Sequence, residues 1–228
     1  MNQQGVGDYC VDIIMCIDAT GSMAPIINEV KANALSFYQK FVDAMDENDK
    51  TVDQLRIKVI VFRDYICDSE PMVESEFFTL PAQSNAFRRF VDEIEAAGGG
   101  DTPENALEAI ALALKSKWTT GGSKRRHAIL VFSDAPALAL NERADCPNYP
   151  ENLPKNLAQL GAWWEGMDQS MDSTYQAKYG RLVAFVPKVA PWIELQTWNR
   201  YWPAFSAAGK GLSDVDIQSA IDLLVGSF

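Results

Sequence analysis

Histidine is almost missing from these 228 residues, His127 being the single one. One imidazole cannot supply a His-rich zinc site, and it leaves no Ser/His/Asp or Cys/His set for nucleophilic catalysis. Because His127 opens an apolar segment, a structural role is expected for it. Cysteine is also scarce. Cys10, Cys16, Cys67 and Cys146 lack metal-ligand spacing, and two lie in or beside an apolar run, so reduced, partly buried thiols are expected. No apolar stretch approaches the roughly 18 residues that span a bilayer. Residues 1–8 lack the basic segment and apolar core of a secretory leader. The chain therefore reads as soluble and cytoplasmic, with no membrane partner. Positive charge is in deficit, 20 basic against 31 acidic residues, and the net charge of -11 repels nucleic-acid phosphates and anionic lipid heads. No nucleic-acid partner is expected. The dense basic run Lys124-Arg125-Arg126 reads as a solvated loop leading into a strand. A Walker-type Gly-Lys-Ser/Thr turn after a strand is lacking too, which removes that nucleotide-binding class.

What remains is ordinary globular material, 47% hydrophobic and 22% charged, with no composition shift to mark a second unit; a single domain over 1–228 is the economical reading. Strand and helix patterns alternate, as in a mostly parallel sheet covered on both faces. Val11 to Ile17 is near-continuously apolar, the mark of a strand buried on both sides. From Ala24 the period changes: Ile26, Ile27, Val30, Ala34, Phe37, Phe41 and Met45 predict one long amphipathic helix, with Pro25 in its first turn. Residues 55–62 read as a second strand, 74–80 as a weaker edge strand, and 85–96 as a helix. Leu107, Ile110, Leu114 and Trp118 mark another helix after a glycine-rich turn. Ala128 to Phe132 and Leu182 to Val186 are core strands separated by a proline-rich loop over 136–153 and a helix bearing Leu157 and Leu160. A helix around Trp192 to Trp198, a short strand near Phe205 and a final helix with Ile217, Ile221 and Leu224 complete the chain.

Three polar clusters follow apolar strands or open helices: Asp18-Ala19-Thr20-Gly21-Ser22, Gly100-Asp101-Thr102 and Ser133-Asp134. In an open α/β sheet the carboxyl ends of the strands face one crevice, where distant groups meet. Carboxylates and hydroxyls are hard oxygen donors of the kind magnesium, manganese and calcium select. On a strand-to-helix turn, residues 18, 20 and 22 project to the same side, so one carboxylate and two hydroxyls can reach one ion. Gly21 is expected to permit a turn that a Cβ would obstruct, and the helix's positive end favours an approaching anion.

This D-x-T-x-S, followed by an acid and a threonine in a glycine-rich turn and an Asp closing a later strand, resembles the metal-ion-dependent adhesion site of von Willebrand factor A domains. Element order supports the likeness along essentially the whole chain. The resemblance implies a Rossmann-like three-layer α/β fold, with a mostly parallel central sheet, one antiparallel edge strand and helices on both faces. It implies Asp18, Thr20 and Ser22 as first-loop ligands, Asp101 or Thr102 as the second-loop ligand and Asp134 as the third-loop acid. The cofactor implied is Mg2+, Mn2+ or Ca2+, and the function is non-catalytic binding of a protein partner at the metal edge. Residues 62–64 and 98–105 are similar to small bacterial members found beside kinases and phosphatases in stress-response and tellurium-resistance-like operons. Two departures stand out: Thr20 replaces the usual serine, and Asp101 stands where a neutral threonine is usual. Direct binding by Asp101 would leave the site at about -1 by counting three carboxylates against a dication, which implies a more structural ion. Asp64, at the end of the second strand, is a candidate to orient a metal-bound water or to pair with Arg63.

Taken singly, each part has a plainer explanation. Ser22 suits a helix N-cap, Thr102 before Pro103 is a capping signal, and Asp134 is an ordinary strand-end residue. Capping alone, however, does not call for acids after two core strands and in the glycine turn. Aromatics Trp163, Trp164, Trp192, Trp198, Tyr201 and Trp202 suit either a partner surface or the core. The competing function is a metal-dependent phosphotransferase or hydrolase with Asp18 as nucleophile. That chemistry asks for a second acid two residues on, where this chain has Thr20, and for a phosphate-anchoring lysine.

Overall fold

The computed structural model describes residues 9–98, 103–168, 170–206, 212 and 215–228. Its frame is a seven-stranded sheet in which β1 (Tyr9–Asp18) lies at the centre, between β2 (Gln54–Phe62) and β5 (Lys124–Phe132). Outward from β5 follow β6 (Gly180–Pro187) and β7 (Tyr201–Ser206), all parallel. At the other edge, β3 (Met72–Glu74) and β4 (Phe78–Leu80) both run antiparallel to β2. The expected antiparallel edge is thus present but split into two three-residue strands, because Ser75 turns aside: its hydroxyl accepts from Val59 N–H at 2.9 Å and donates to Glu76 O at 2.8 Å.

The strands are apolar on both faces because both faces are covered. Val11, Ile13, Met15 and Ile17 of β1 enter one core, with Ala128, Leu130 and Phe132 of β5. That core is closed by α1 (Ala24–Asn33), α2 (Phe37–Asp46), α3 (Ser84–Asp92) and α6 (Ile217–Gly226). The alternate residues Ile14 and Cys16, with Ile129 and Val131, enter a second core under α4 (Ala106–Lys115) and α5 (Leu157–Trp164). A period of two within each strand divides its side chains between the two layers.

Several expectations are corrected. The long helix from Ala24 is two helices, α1 and α2, with a turn over 34–36. Side chains compete with the helical ladder there: Asn33 Nδ2 donates to Glu29 O at 2.9 Å and Ser36 Oγ to Asn33 O at 3.2 Å. Leu35, at the break, is exposed, whereas Ala34 and Phe37 keep the buried register across it. Lys124, Arg125 and Arg126 belong to β5 and are not a loop before it. The helix expected around Trp192 is a 3₁₀ turn over Glu194–Thr197. His127 is fully buried, faces Thr119 O through Nε2 at 3.1 Å and stacks on Trp118 at 4.9 Å. Burial lowers its pKa to about 4, so the ring is neutral at physiological pH. Trp118, Trp163, Trp164 and Trp192 are buried, Trp198 and Trp202 partly so: the tryptophans are mainly core.

Candidate metal-binding edge

β1, β2 and β5 are parallel, so their carboxyl ends finish side by side. Asp18 pairs with Phe62 in the register between β1 and β2, and Ile17 with Phe132 between β1 and β5. Residues 44 and 115 positions away from Asp18 are thereby drawn to one edge. Beyond Asp18 the chain turns sharply: Ala19 N–H donates to Phe62 O at 3.0 Å, and a 3₁₀ turn over Gly21–Met23 leads into α1.

Asp18 is fully buried. Its Oδ1 accepts from Thr20 N–H at 2.9 Å and from Thr20 Oγ1 at 2.7 Å, and its Oδ2 accepts from Ser133 Oγ at 2.8 Å. Ser22 lies on the 3₁₀ turn and donates from Oγ to Asp134 Oδ1 at 3.1 Å. The structure therefore brings Asp18, Thr20, Ser22 and Asp134 together. The hydroxyls of Thr20 and Ser22 point to carboxylates, not to helix caps, since neither the 3₁₀ turn nor α1 has a side-chain cap bond. Asp101 and Thr102 lie outside the described residues. Desolvation raises the Asp18 pKa, the nearby Asp134 charge adds to this, and the hydrogen bonds from Thr20 and Ser133 oppose it. Two acids and three hydroxyls share this spot, and among the described residues no group of three or more His, Cys, Asp or Glu gathers as a metal cluster. As donors the set consists of hard oxygens only, with a buried carboxylate that accepts from the neutral hydroxyls of Thr20 and Ser133 and the Thr20 amide; it fits a divalent cation of the magnesium or calcium kind.

The glycine expectation needs correcting. A Cβ on Gly21 would meet Gly98 O at 3.9 Å, an ordinary contact, so this turn does not require glycine. Gly98 does: its φ is +75°, and a Cβ there would collide with the Asp68 carboxylate. Asp64 does not pair with Arg63, whose guanidinium instead donates to Glu95 O at 2.7 Å. Asp64 is fully buried, accepts from Ile66 N–H at 2.7 Å and stands 3.9 Å from Arg143 Nε.

Three supporting residues had no role assigned from the sequence, although Ser133 was named within the third polar cluster. Ser133 holds Asp18 across the sheet, and its position beside Asp134 was the available signal. Asn105 Nδ2 donates to Arg63 O at 2.9 Å, tying the start of α4 to the end of β2. Glu108, buried within α4, accepts from Tyr149 Oη at 3.0 Å and so pins the loop that leaves Asp134. Alongside that loop runs an apolar cleft of about 290 Å³, bounded by Ala137, Leu138, Leu140, Leu157 and Pro191, with Glu194 at its side.

A family model described as von Willebrand factor A domain matches residues 12–146. An alpha-protein kinase, vwkA of Dictyostelium discoideum, is 26% identical over 148 residues; the match takes in 65% of this chain and 22% of the relative, so the chain spans about a fifth of that protein. Among solved structures, a von Willebrand factor type A protein from Catenulispora acidiphila superposes with a TM-score of 0.53 at 14% identity, over 94% of this chain and 42% of the other. A pilus adhesin, SpaC of Lactobacillus rhamnosus GG, superposes with a TM-score of 0.55 at 11% identity, over 98% of this chain and 30% of the other. At such identities these two likenesses speak for the fold.

Proposed function

The chain belongs to the von Willebrand factor A domain family, and we propose that it is a non-catalytic interaction module that holds a divalent cation at the carboxyl edge of its sheet and binds a protein partner there. The observation that carries this reading is the linked set Thr20–Asp18–Ser133 and Ser22–Asp134, assembled from the ends of two parallel strands and the turn after the first. Asp18, Thr20, Ser22 and Asp134 would hold the ion, with Asp101 or Thr102 completing the set. A bound dication there offers an electrophilic point to a partner's carboxylate and offsets the burial of Asp18. Ser133 and the Thr20 amide orient Asp18, and the apolar cleft along 137–140, on the loop that leaves Asp134, gives a partner side chain a place.

Against an enzymatic role stands the environment of Asp18. Both its oxygens already accept hydrogen bonds, and the position two residues on is a threonine, which lacks the acid a phosphoaspartate mechanism uses to protonate a leaving group. The kinase name of the Dictyostelium relative belongs to a protein mostly outside the aligned region. It supports a setting for this module in phospho-signalling, in line with the resemblance to bacterial stress-response members.

A pull-down from cell extract in magnesium, repeated in chelator and with Asp18→Ala, tests the reading. Bands present only with wild type and magnesium are expected. Bands indifferent to both chelator and substitution would overturn the metal-edge mode, and turnover of a generic phosphomonoester abolished by Asp18→Asn would replace it with the enzymatic one.

A further inference from the structure

The opposite end of the sheet has a different character. β1, β5 and β6 begin there, and Tyr9 pairs with Lys124 across the ladder while Ala128 pairs with Arg181. Nine steps along β1 place this end about 30 Å from Asp18. Although the protein is strongly acidic, Lys124, Arg125, Arg126, Lys178 and Arg181 collect here, and no Asp or Glu pairs with any of them among the described residues. The described acids nearby are otherwise engaged. Asp12 accepts from Arg56 Nε and the Thr119 amide, Asp53 from Tyr9 N–H, and Glu165 pairs with Arg200.

Aromatic faces stand where counter-ions would. Lys124 and Arg126 lie over Tyr9, at 5.9 and 5.5 Å, and Arg126 also over Phe228 at 5.6 Å. Arg125 and Lys178 share Tyr179, at 4.6 and 4.8 Å, and Arg181 covers Trp202 at 5.7 Å. Such contacts organise the cations without neutralising them. Crowding shows in Arg181, whose pKa is lowered first by burial and then by Arg126 and Arg200. At the centre, Tyr9 is only 5% exposed and its hydroxyl has no hydrogen-bond partner among the described residues, nor has Arg126 Nε. The guanidiniums direct their other donors to neutral or backbone oxygens, Arg125 to Thr120 O and Tyr179 Oη, Arg126 to Phe228 O at 2.6 Å and Arg181 to Ser227 O, so no Asp or Glu among the described residues meets the positive charge.

We propose that this basic and aromatic end is a second docking surface, for an acidic peptide segment that lays a run of Asp or Glu carboxylates across Lys124, Arg125 and Lys178. Charge complementarity selects the occupant. A short carboxylate run meets the local positive field, while an extended polyphosphate also meets the repulsion of a body at -11. The surface needs no metal, so it works independently of the edge at Asp18.

The test is fluorescence anisotropy of a labelled oligoglutamate, run in chelator so that the metal edge contributes nothing, at about 50 mM and about 300 mM salt. Wild type is expected to bind at the lower salt and to weaken at least tenfold at the higher. Lys124→Gln/Arg125→Gln, which removes two charges without reversing them, is expected to weaken binding roughly tenfold at low salt, with an unchanged circular dichroism spectrum. If that variant unfolds, Lys178→Gln on the exposed turn takes its place. No binding at low salt, equal binding by the variants, or tighter binding of an oligothymidine of the same length would overturn the proposal.

Discussion

Two buried titratable residues, Glu108 and His127, contribute to the acid response of this domain in opposite directions. Burial raises the Glu108 pKa from 4.5 to about 7, against the hydrogen bond from Tyr149 and with a contribution from Glu142. Its protonated form is the one the fold favours, so the stability it contributes is full below pH 4.5 and is lost as pH rises to about 7. His127 behaves inversely. Its folded pKa falls from 6.5 to about 4, so its contribution is present above pH 6.5 and is lost as pH falls to about 4. Between pH 4.5 and 6.5 the two slopes partly cancel. Glu108→Gln keeps an acceptor for Tyr149 and removes one slope. We therefore expect it to be more stable than the parent at pH 8, by on the order of 2–3 kcal/mol. Its midpoint should also fall more steeply with acid, and urea melts from pH 4 to 8 would show both effects; parallel pH profiles for the two proteins would refute the assignment.

At the scale of elements, helix ends and helix faces make separable contributions. Among the described helices, α5 and α6 carry side-chain N-caps: Asn156 Oδ1 accepts from Gln159 N–H at 2.9 Å, and Asp216 Oδ1 from Ser219 N–H at 2.6 Å. Asn156→Ala and Asp216→Ala should each cost about 1 kcal/mol in chemical denaturation. On the face of α4, Ile110 is fully buried in the second core, and Ile110→Ala should cost about 2–5 kcal/mol through the transfer term and the cavity left behind. Leu35, at the break between α1 and α2, is 47% exposed, and Leu35→Ala should change stability by under about 0.5 kcal/mol. A large loss at Leu35 would mean that the break is packed against something other than solvent.

For the whole molecule, the sheet is electrically two-ended, with buried and half-buried acids at the carboxyl ends of β1 and β5 and unpaired cations at the amino ends. A ligand that binds only the native state raises the unfolding midpoint by mass action, by about 2.7 kcal/mol at a hundred times its dissociation constant. Millimolar magnesium should therefore raise the melting temperature of wild type and leave Asp18→Ala and Asp134→Ala unmoved. No shift in wild type would mark the edge as vestigial.

The fold was legible because it is written in short-range pattern. Apolar runs such as 11–17 and 128–132 cannot be solvated on either face, so they had to be central strands, and parallel strands joined by helices put Asp18 and Asp134 at one edge whatever the details. Pattern did not reveal the break at 34–36, since the buried register of Ala34 and Phe37 continues straight through it and the interruption comes from Asn33 and Ser36 bonding to the backbone. Nor could it give Asp64 its neighbour Arg143, or Asp18 its bond from Ser133, because these partners lie 79 and 115 residues away and meet only once the sheet is assembled. Sequence by itself determined that Asp18, Thr20, Ser22 and Asp134 gather at one edge of the sheet. The tertiary structure alone decided which hydroxyl holds which carboxylate, and where the unpaired cations of an acidic chain come together, because both depend on strand register and on contacts between residues with no local relation.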